Sequence, residues 1–240
     1  MQDTHKLHQK LHWHLIGHDF FADLTEAERA KFYALSRRHE LKRNQLIFNE
    51  GEMAHSCFYI EKGVLQAYRI TAQGRNTILF IRGQGDIFGL AELVNKGVRK
   101  HFTSAMTAAV VHELPETGFE QLLMSSPVLT RRMMEVMGRR VRFLNEQAQD
   151  LMSKGVSERL LKLFVCLSYE QILKALPGNR PVPLGLRLTQ EEMGAMIGSC
   201  QQTISSTLRA LRESGVIAAR GRSIILENPK ALLEALGLSW

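Results

Sequence analysis

The polar residues of segment 201–213 are of the types that read DNA bases and contact phosphates. At 100° per residue, Ile204, Leu208 and Leu211 share one face of a helix, and polar side chains lie opposite or beside it. These candidates are Gln201, Gln202, Ser205, Ser206, Arg209 and Arg212. Glutamine can pair bidentately with adenine, serine can reach a base edge or a phosphate, and arginine can contact the backbone. The pattern predicts a DNA-contacting face, and the alternative is a solvated helix face.

Two further arginines mark the turn of a predicted hairpin. The runs 216–219 and 223–226 are apolar and flank Arg220, Gly221 and Arg222. A hairpin with a basic tip could place both arginines against DNA phosphates. We therefore add Arg220 and Arg222 to the candidate contacts.

Two short helices must position these side chains. Thr189 and Glu192 form a capping box that starts a helix at Gln190, and Gly198 ends it. Ser199 is then predicted to cap the next helix, with Gln202 at its capping-box position. Residues 186–188 are expected to form a short strand. Together with the hairpin, these elements predict a winged helix-turn-helix.

A different periodicity occupies residues 41–114. Short apolar or alternating runs predict strands at 45–48, 57–60, 64–70, 77–81 and 104–111. Glycines at positions 51, 63, 74 and 85 separate the runs, which is the rhythm of an antiparallel barrel or sandwich. The fold class is therefore α+β, with an N-terminal β-roll or jelly-roll.

A long amphipathic helix is predicted to connect the two regions. Residues 128–152 carry an apolar stripe at steps of three or four, formed by Met133, Val136, Met137, Val141, Leu144, Ala148 and Leu151. The stripe favours a coiled-coil-like dimer seam, and the alternative is a helix buried within its own chain. Gly155 is predicted to be a hinge before a second helical stretch, 156–176. We expect domains at 1–127, 128–154 and 155–240.

Histidines and cysteines offer weaker signals. His5, His8, His12, His14 and His18 could hold a metal or haem if helical, or could simply be solvated. Cys57, Cys166 and Cys200 show no CxxC spacing, so we expect buried, reduced thiols and no iron–sulfur cluster.

Size and charge agree with a protein of more than one globular part that carries a basic surface near its C-terminus. The chain has 240 residues and a formal net charge of +7. Residues 151–240 hold 11 basic and 7 acidic side chains, so most of the excess lies near the predicted helix-turn-helix. No apolar run is long enough to span a bilayer, so we expect a cytoplasmic protein with no membrane partner.

The order of these parts resembles the cAMP receptor protein/FNR (CRP/FNR) family of bacterial regulators over roughly residues 40–230. The resemblance rests on the motifs at 48–51, 59–64, 85–89, 188–198 and 202–205, and on Pro127 before the long helix. It implies a β-roll effector domain, a dimerisation helix and a winged helix, acting as a homodimer on double-stranded DNA with a palindromic operator. An activator would also contact RNA polymerase.

The same resemblance exposes departures at the effector site. Cyclic-nucleotide-binding members carry a glutamate after the glycine and an Arg-Ser pair about ten residues later, whereas this chain has Leu90, Lys100 and His101 there. We therefore expect an effector other than cAMP. Arg139 and Arg140 on the long helix join the candidate effector contacts. A small organic anion or a haem are the alternatives. Gln201 and Ser206 also replace frequent family arginines, so the operator is expected to differ from the commonest half-site.

Two other function classes can be compared with this one. A metal-dependent cupin enzyme would need a His-x-His motif and a glutamate inside the barrel strands, and these strands lack it. A regulatory module that binds only protein would not bind duplex DNA. We expect a regulator and not an enzyme.

Overall fold

The computed structural model describes residues 19–71, 74, 76–221 and 223–238. These residues form two compact units, one ending at Val141 and the other starting at Arg142. The change between units falls inside a long helix. The domain boundaries at 127 and 154 that the sequence suggests stay a prediction.

The N-terminal unit combines strands with short helices. Its described elements are α1 Glu26–Leu35, β1 Arg37–Leu41, β2 Leu46–Phe48, β3 Ser56–Lys62, β4 Leu65–Ile70, β5 Asn76–Arg82, β6 Ile87–Phe88, α2 Leu90–Val94, β7 Phe102–Ala105, β8 Ala109–Pro115 and α3 Glu116–Ser125. Helix α1 begins with a capping box, in which Thr25 accepts from the backbone of Glu28 and the Glu28 carboxylate accepts from that of Thr25.

Two four-stranded antiparallel sheets build the β-roll. Their strand orders are β1-β8-β3-β6 and β2-β7-β4-β5. Phe48 and Leu65 from one sheet join Phe58, Ile60 and Phe88 from the other in a single buried cluster. The core of the roll therefore lies between the sheets, as expected for a β-roll.

The single strand predicted over 104–111 is wrong. The chain forms β7 and β8 instead, because β7 pairs with β4 in one sheet and β8 pairs with β3 in the other. The backbone at Met106 donates to the carbonyl of Val64 as the chain crosses between sheets. An apolar run in the sequence cannot reveal such a crossing.

The long helix, α4, spans Pro127–Ser153. Met133 and Val136 of its predicted stripe are buried in a cluster with Phe20, Leu90 and Leu122, so this part of the stripe packs within its own chain. Further along, Val141 and Leu144 are 59% and 64% exposed. Only the later part of the predicted stripe is therefore exposed and can contact a second copy of the chain.

The C-terminal unit follows the end of α4. Its described elements are α5 Val156–Leu167, α6 Tyr169–Ala175, a 3-10 turn Leu176–Gly178, β9 Val182–Pro183, α7 Gln190–Ile197, α8 Gln201–Glu213, β10 Ile217–Arg220, β11 Ser223–Leu226 and α9 Pro229–Ala235. The sheet order is β10-β11-β9, with antiparallel pairs.

Two local predictions in this unit are wrong. The strand expected at 186–188 lies earlier, at β9, where Val182 pairs with Leu226. The continuous helix expected over 156–176 is broken at Ser168, a buried residue whose hydroxyl accepts from the backbone N–H of Gly185.

Among the described residues, no helix is both long and apolar enough to cross a membrane.

Candidate nucleic-acid interface

Helices α7 and α8 form a helix-turn-helix whose turn depends on two glycines. Gly198 ends α7 in the left-handed region, at φ +67°. A Cβ there would lie 2.7 Å from the Leu151 side chain, and one at Gly194 would lie 2.7 Å from the carbonyl oxygen of Ser199. At Gly198 the left-handed backbone favours glycine, and at Gly194 the backbone carbonyl of the turn leaves no room for a Cβ.

Local hydrogen bonds fix the start of α7 and the turn after it. Thr189 and Glu192 make the predicted capping box, with bonds of 3.1 Å from the Glu192 backbone N–H and 2.6 Å to the Glu192 carboxylate. At the other end, the buried Arg159 on α5 donates from Nε to the carbonyl of Ile197 at 2.9 Å. A second guanidinium nitrogen donates to the carbonyl of Lys154 at 2.6 Å. Arg159 thus satisfies a carbonyl at the C-terminus of α7 and ties the turn to α5.

A buried ion pair supports the same region. The Asp150 carboxylate near the end of α4 accepts from the Lys162 ammonium on α5, and its other oxygen lies 3.0 Å from the Lys154 ammonium. Burial opposes ionisation of Asp150, but the hydrogen bonds from both lysines hold its pKa below the usual value. The end of α4, the segment at Gly155 and the helix-turn-helix are therefore held together by charged and backbone contacts.

The second helix begins one residue later than predicted. Cys200 is the N-cap residue, in extended conformation, and no side chain caps this helix, so the prediction that Ser199 caps it is wrong. The Cys200 thiol is exposed and lies 3.1 Å from the Thr203 hydroxyl. Cys57 and Cys166 are buried as expected, whereas the expectation for Cys200 is wrong.

The predicted faces of α8 are confirmed by burial. Ile204, Leu208 and Leu211 are buried. Five of the predicted DNA contacts are exposed: Gln201, Gln202, Ser206, Arg209 and Arg212. The sixth predicted contact on α8, Ser205, is half-buried. The Ser206 hydroxyl donates to the carbonyl of Thr203 at 3.0 Å, which leaves its oxygen as an acceptor on the outer face.

The hairpin next to α8 has the predicted form. Strands β10 and β11 pair from Ile217 with Leu226 to Arg220 with Ser223. Gly221 at the turn has φ +62°. Arg220 is exposed. Arg222 lies outside the described residues, so its placement stays a prediction.

The candidate effector residues occupy different environments in the N-terminal unit. Leu90 is buried in the apolar cluster and Lys100 is exposed. His101 is half-buried between the edges of Phe48 and Phe80, with ring centroids at 5.9 and 5.1 Å, and burial lowers its pKa. The histidines considered as possible metal or haem ligands, at positions 5, 8, 12, 14 and 18, lie outside the described residues.

Arg139 and Arg140 lie where the long helix meets the roll. Both are half-buried, and the Arg140 guanidinium donates to the carbonyl of Ile87. The electrostatic neighbours of Arg140 include Arg82, Asp86 and Arg139. The structure therefore brings the two helix arginines together with Arg82 and Asp86, which the sequence reading missed. The signal in the sequence was an arginine ending the apolar run 77–81.

Arg99 is a second residue that the sequence reading missed. It is 2% exposed, lies 4.2 Å from the Phe48 ring centroid, and donates to the carbonyl of Gly89 at 3.0 Å. A further nitrogen donates to the carbonyl of Ser56. Arg99, which precedes the candidate effector contact Lys100, therefore donates its guanidinium N–H groups to the protein's own backbone. Among the described residues, no group of three histidine, cysteine or acidic side chains could hold a metal ion.

Each of the two units matches a known protein family model. A family model described as a cyclic nucleotide-binding domain matches residues 38–126, and one described as a Crp-like helix-turn-helix domain matches residues 156–235. The fumarate and nitrate reduction regulatory protein of Escherichia coli K12 is 28% identical over 203 residues, covering 85% of this chain and 80% of that protein. The protein of the same name from Salmonella typhimurium shows the same identity and coverage.

Solved structures show the same fold. The c-di-GMP responsive global regulator CLP of Xanthomonas campestris aligns with a TM-score of 0.70 at 20% identity, covering 85% of this chain and 100% of that one. FixK2 from Bradyrhizobium japonicum aligns with a TM-score of 0.68 at 19% identity, covering 85% and 98%. The α+β architecture predicted from the sequence is confirmed.

Proposed function

Because this chain belongs to the CRP/FNR family of transcription regulators, we propose that it binds a palindromic operator as a homodimer and that an effector in the β-roll controls its DNA affinity. One helix α8 from each protomer enters the major groove, with half-sites about 34 Å apart. The hairpin between β10 and β11 lies along the phosphate backbone.

The observation that carries this proposal is the division of α8 into two faces. Its apolar residues are buried, and its exposed side begins with two adjacent glutamines, Gln201 and Gln202. A recognition helix enters the groove by its N-terminal residues, so these amides reach base edges first. Arg209 and Arg212 follow two turns later, where phosphates are closer.

The chemistry of the reading face suggests what the operator contains. Glutamine pairs with the N6 and N7 positions of adenine, whereas arginine favours guanine. We therefore propose that adenine occupies the positions facing Gln201 and Gln202.

The exposed apolar residues of α4 supply the proposed dimer contact. Val141 and Ala148 are seven residues apart, as are Leu144 and Leu151, and all four are exposed. Alternate steps of three and four residues are the a and d pattern of a two-stranded coiled coil. We propose that a second copy of this chain covers the stripe.

The effector is proposed to be a small molecule other than cAMP. Where cyclic-nucleotide-binding members carry a glutamate and an arginine, Leu90 offers no acceptor for a ribose and Lys100 offers a single charge in place of a guanidinium fork. The relatives named above are regulators, so we propose regulation and not catalysis. An activating role would add RNA polymerase as a partner. The cytoplasmic location stays a prediction.

Leu144→Glu tests the dimer and its link to DNA binding. A charge in the stripe should separate the protomers, since two glutamates would face each other in the seam. Loss of the second half-site should weaken binding to an operator selected from random duplexes by at least about 100-fold. Sedimentation velocity measures the association state and fluorescence anisotropy the affinity.

Met124→Glu is the matched control, because Met124 is an exposed apolar residue on α3 and is not part of the α4 stripe. It should remain dimeric and bind the operator normally. A Leu144→Glu protein that stays dimeric would contradict the proposed seam. A selected operator without two-fold symmetry would contradict homodimeric binding.

A further inference from the structure

Lys154 and Gly155 form the joint between α4 and α5, where the sequence predicts a hinge. Gly155 has φ −65° and ψ 161°, an extended conformation that any residue can adopt. A Cβ at this position would meet nothing within 4 Å. The backbone of the joint therefore does not require the conformational freedom of glycine.

A buried ion pair crosses the joint. Asp150, in the last turn of α4, accepts from the ammonium of Lys162 on α5, and both residues are buried. The other carboxylate oxygen of Asp150 lies 3.0 Å from the Lys154 ammonium. Opening the joint would separate opposite charges that are held away from water, which is far more costly than breaking an ion pair at the surface.

A buried guanidinium makes a second connection, between the joint and the helix-turn-helix. Arg159 on α5 donates to the carbonyl of Lys154 at 2.6 Å and to the carbonyl of Ile197, at the end of α7, at 2.9 Å. Its third nitrogen donates to the carbonyl of Gly198 at 3.4 Å. Because the guanidinium is planar and rigid, these bonds fix the joint and the turn relative to each other.

Apolar packing makes a third connection. The side chain of Leu151 on α4 lies so close to Gly198 that a Cβ on this glycine would be 2.7 Å from it. Leu151 also belongs to the proposed dimer stripe and is 50% exposed. The same side chain therefore takes part in the proposed seam and packs against the turn before α8.

We propose that Asp150, Lys154, Arg159 and Lys162 form a clamp that locks the end of α4 to the helix-turn-helix, so that Gly155 is not a hinge. The proposal rests on the proposed function, because it concerns how a homodimer presents α8 to its operator. Asp150 and Arg159 are positioning residues, since they are buried and act on α8 through the joint and the turn. With the joint locked, the dimer seam fixes the separation of the two reading helices and selects one half-site spacing.

Hydrogen exchange of the full chain without DNA tests the clamp by itself. The N–H of Lys154 bonds to the carbonyl of Asp150, and the N–H of Arg159 bonds to the carbonyl of Gly155. Both amides should exchange slowly in the unmodified protein, because local opening of the joint requires the clamp to break. Asp150→Asn should speed the exchange of both amides by at least about tenfold. Mass spectrometry with residue-level fragmentation measures these rates.

Two control variants change the same neighbourhood without opening the clamp. Glu158→Gln removes an exposed carboxylate 3.6 Å from the Lys154 ammonium and leaves the buried pair intact, so exchange should not change. Gly155→Ala fits the extended backbone, so both amides should stay slow.

A second clamp variant covers the case in which Asp150→Asn does not fold. Arg159→Lys keeps the charge and loses the guanidinium fork, so it should also speed exchange at the joint. Circular dichroism verifies that each variant is folded. If the two amides exchange as slowly in the folded clamp variants as in the unmodified protein, the clamp is wrong.

Operators with altered half-site spacing test the consequence for DNA binding. One extra base pair between the half-sites rotates one of them by about 35° relative to the other. The unmodified protein and Gly155→Ala should bind this duplex about 50-fold more weakly than the selected operator, because a locked joint cannot follow the rotation. Asp150→Asn should lose only about fivefold. Its affinity for a duplex with a single half-site should equal that of the unmodified protein, because α7 and α8 remain folded.

The DNA results separate a positioning role from a structural one. If Asp150→Asn weakens binding to the single half-site as much as binding to the operator, Asp150 supports the fold of the helix-turn-helix and the positioning role is wrong. If Gly155→Ala changes the spacing preference, Gly155 is a hinge and the clamp is wrong.

Failure of the proposed function would look different. A protein that binds no operator would contradict the proposed function, whereas slow exchange at the joint, lost in Asp150→Asn, would still support the clamp.

Discussion

Arginines of the two units work in opposite environments. In the N-terminal unit, Arg82 and Arg99 are buried and donate to backbone carbonyls. In the C-terminal unit, Arg209, Arg212 and Arg220 are exposed on α8 and the hairpin. The residue type is the same in both units. The N–H groups of a buried guanidinium bond to backbone carbonyls of the protein, whereas those of an exposed guanidinium are accessible to phosphate oxygens.

The C-terminal unit also contains a buried arginine, which behaves like those of the other unit. Arg159 donates to the carbonyls of Ile197 and Lys154 and so fixes the turn before α8. Whether an arginine bonds to the backbone or faces solvent therefore depends on its burial and not on the unit in which it lies. Removing a buried arginine should affect stability, whereas removing an exposed one should affect DNA affinity.

Arg99→Ala should give the largest stability effect. The change leaves the carbonyls of Gly89 and Ser56 without this donor and removes the cation 3.8 Å from the Glu92 carboxylate. Loss of such a buried contact set should lower the free energy of unfolding by about 3 kcal/mol. Urea unfolding followed by circular dichroism measures it.

Arg38→Ala is the exposed control in the same unit. Arg38 pairs with Glu40 and Glu61 at the surface, so its loss should change stability by no more than about 0.5 kcal/mol. The contrast between buried and exposed arginines fails if the two variants lose equal stability. DNA affinity of the folded protein should be normal in both.

The cysteines extend the comparison with a smaller expected effect. The hydrogen bond from Thr203 lowers the pKa of the exposed Cys200 thiol, whereas burial raises that of Cys57 to about 12. Iodoacetamide at neutral pH should therefore modify Cys200 and spare Cys57 and Cys166. Bound operator duplex should slow this reaction, because Cys200 is the N-cap residue of α8 and the N-terminus of α8 is the end proposed to enter the groove.

Mass spectrometry of tryptic peptides follows the modification of each cysteine. An unrelated duplex at the same salt concentration serves as the control and should protect less. Equal reaction of Cys200 with and without operator would mean that the N-terminus of α8 does not face DNA.

Much of the helix-turn-helix could be predicted because its signals are local. The Thr189 and Glu192 capping box, the left-handed Gly198 and the stripe from Ile204 to Leu211 depend on neighbours along one helix. The cap of α8 was predicted one residue early, because Ser199 is a good capping residue but its backbone N–H already bonds to Gly194 across the turn.

Residues with distant partners could not be predicted in the same way. The stripe on α4 looks continuous in sequence, yet Met133 is buried by the N-terminal unit and Leu144 is exposed, because periodicity does not show what packs on a face. Arg82 and Thr103 are far apart in the sequence, and both face the interior of the roll because β5 and β7 each pair with β4.

The most direct test of the account compares Gln202→Ala with Arg209→Ala in DNA binding. Anisotropy titrations would use the selected operator and a scrambled duplex at two salt concentrations, with the exposed Gln171→Ala on α6 as control. Gln202→Ala should cost about 1–3 kcal/mol on the operator and little on the scrambled duplex. Arg209→Ala should weaken both and reduce the salt slope by about 1. If both variants bind the operator as tightly as the unmodified protein, α8 does not read DNA and the central claim is contradicted.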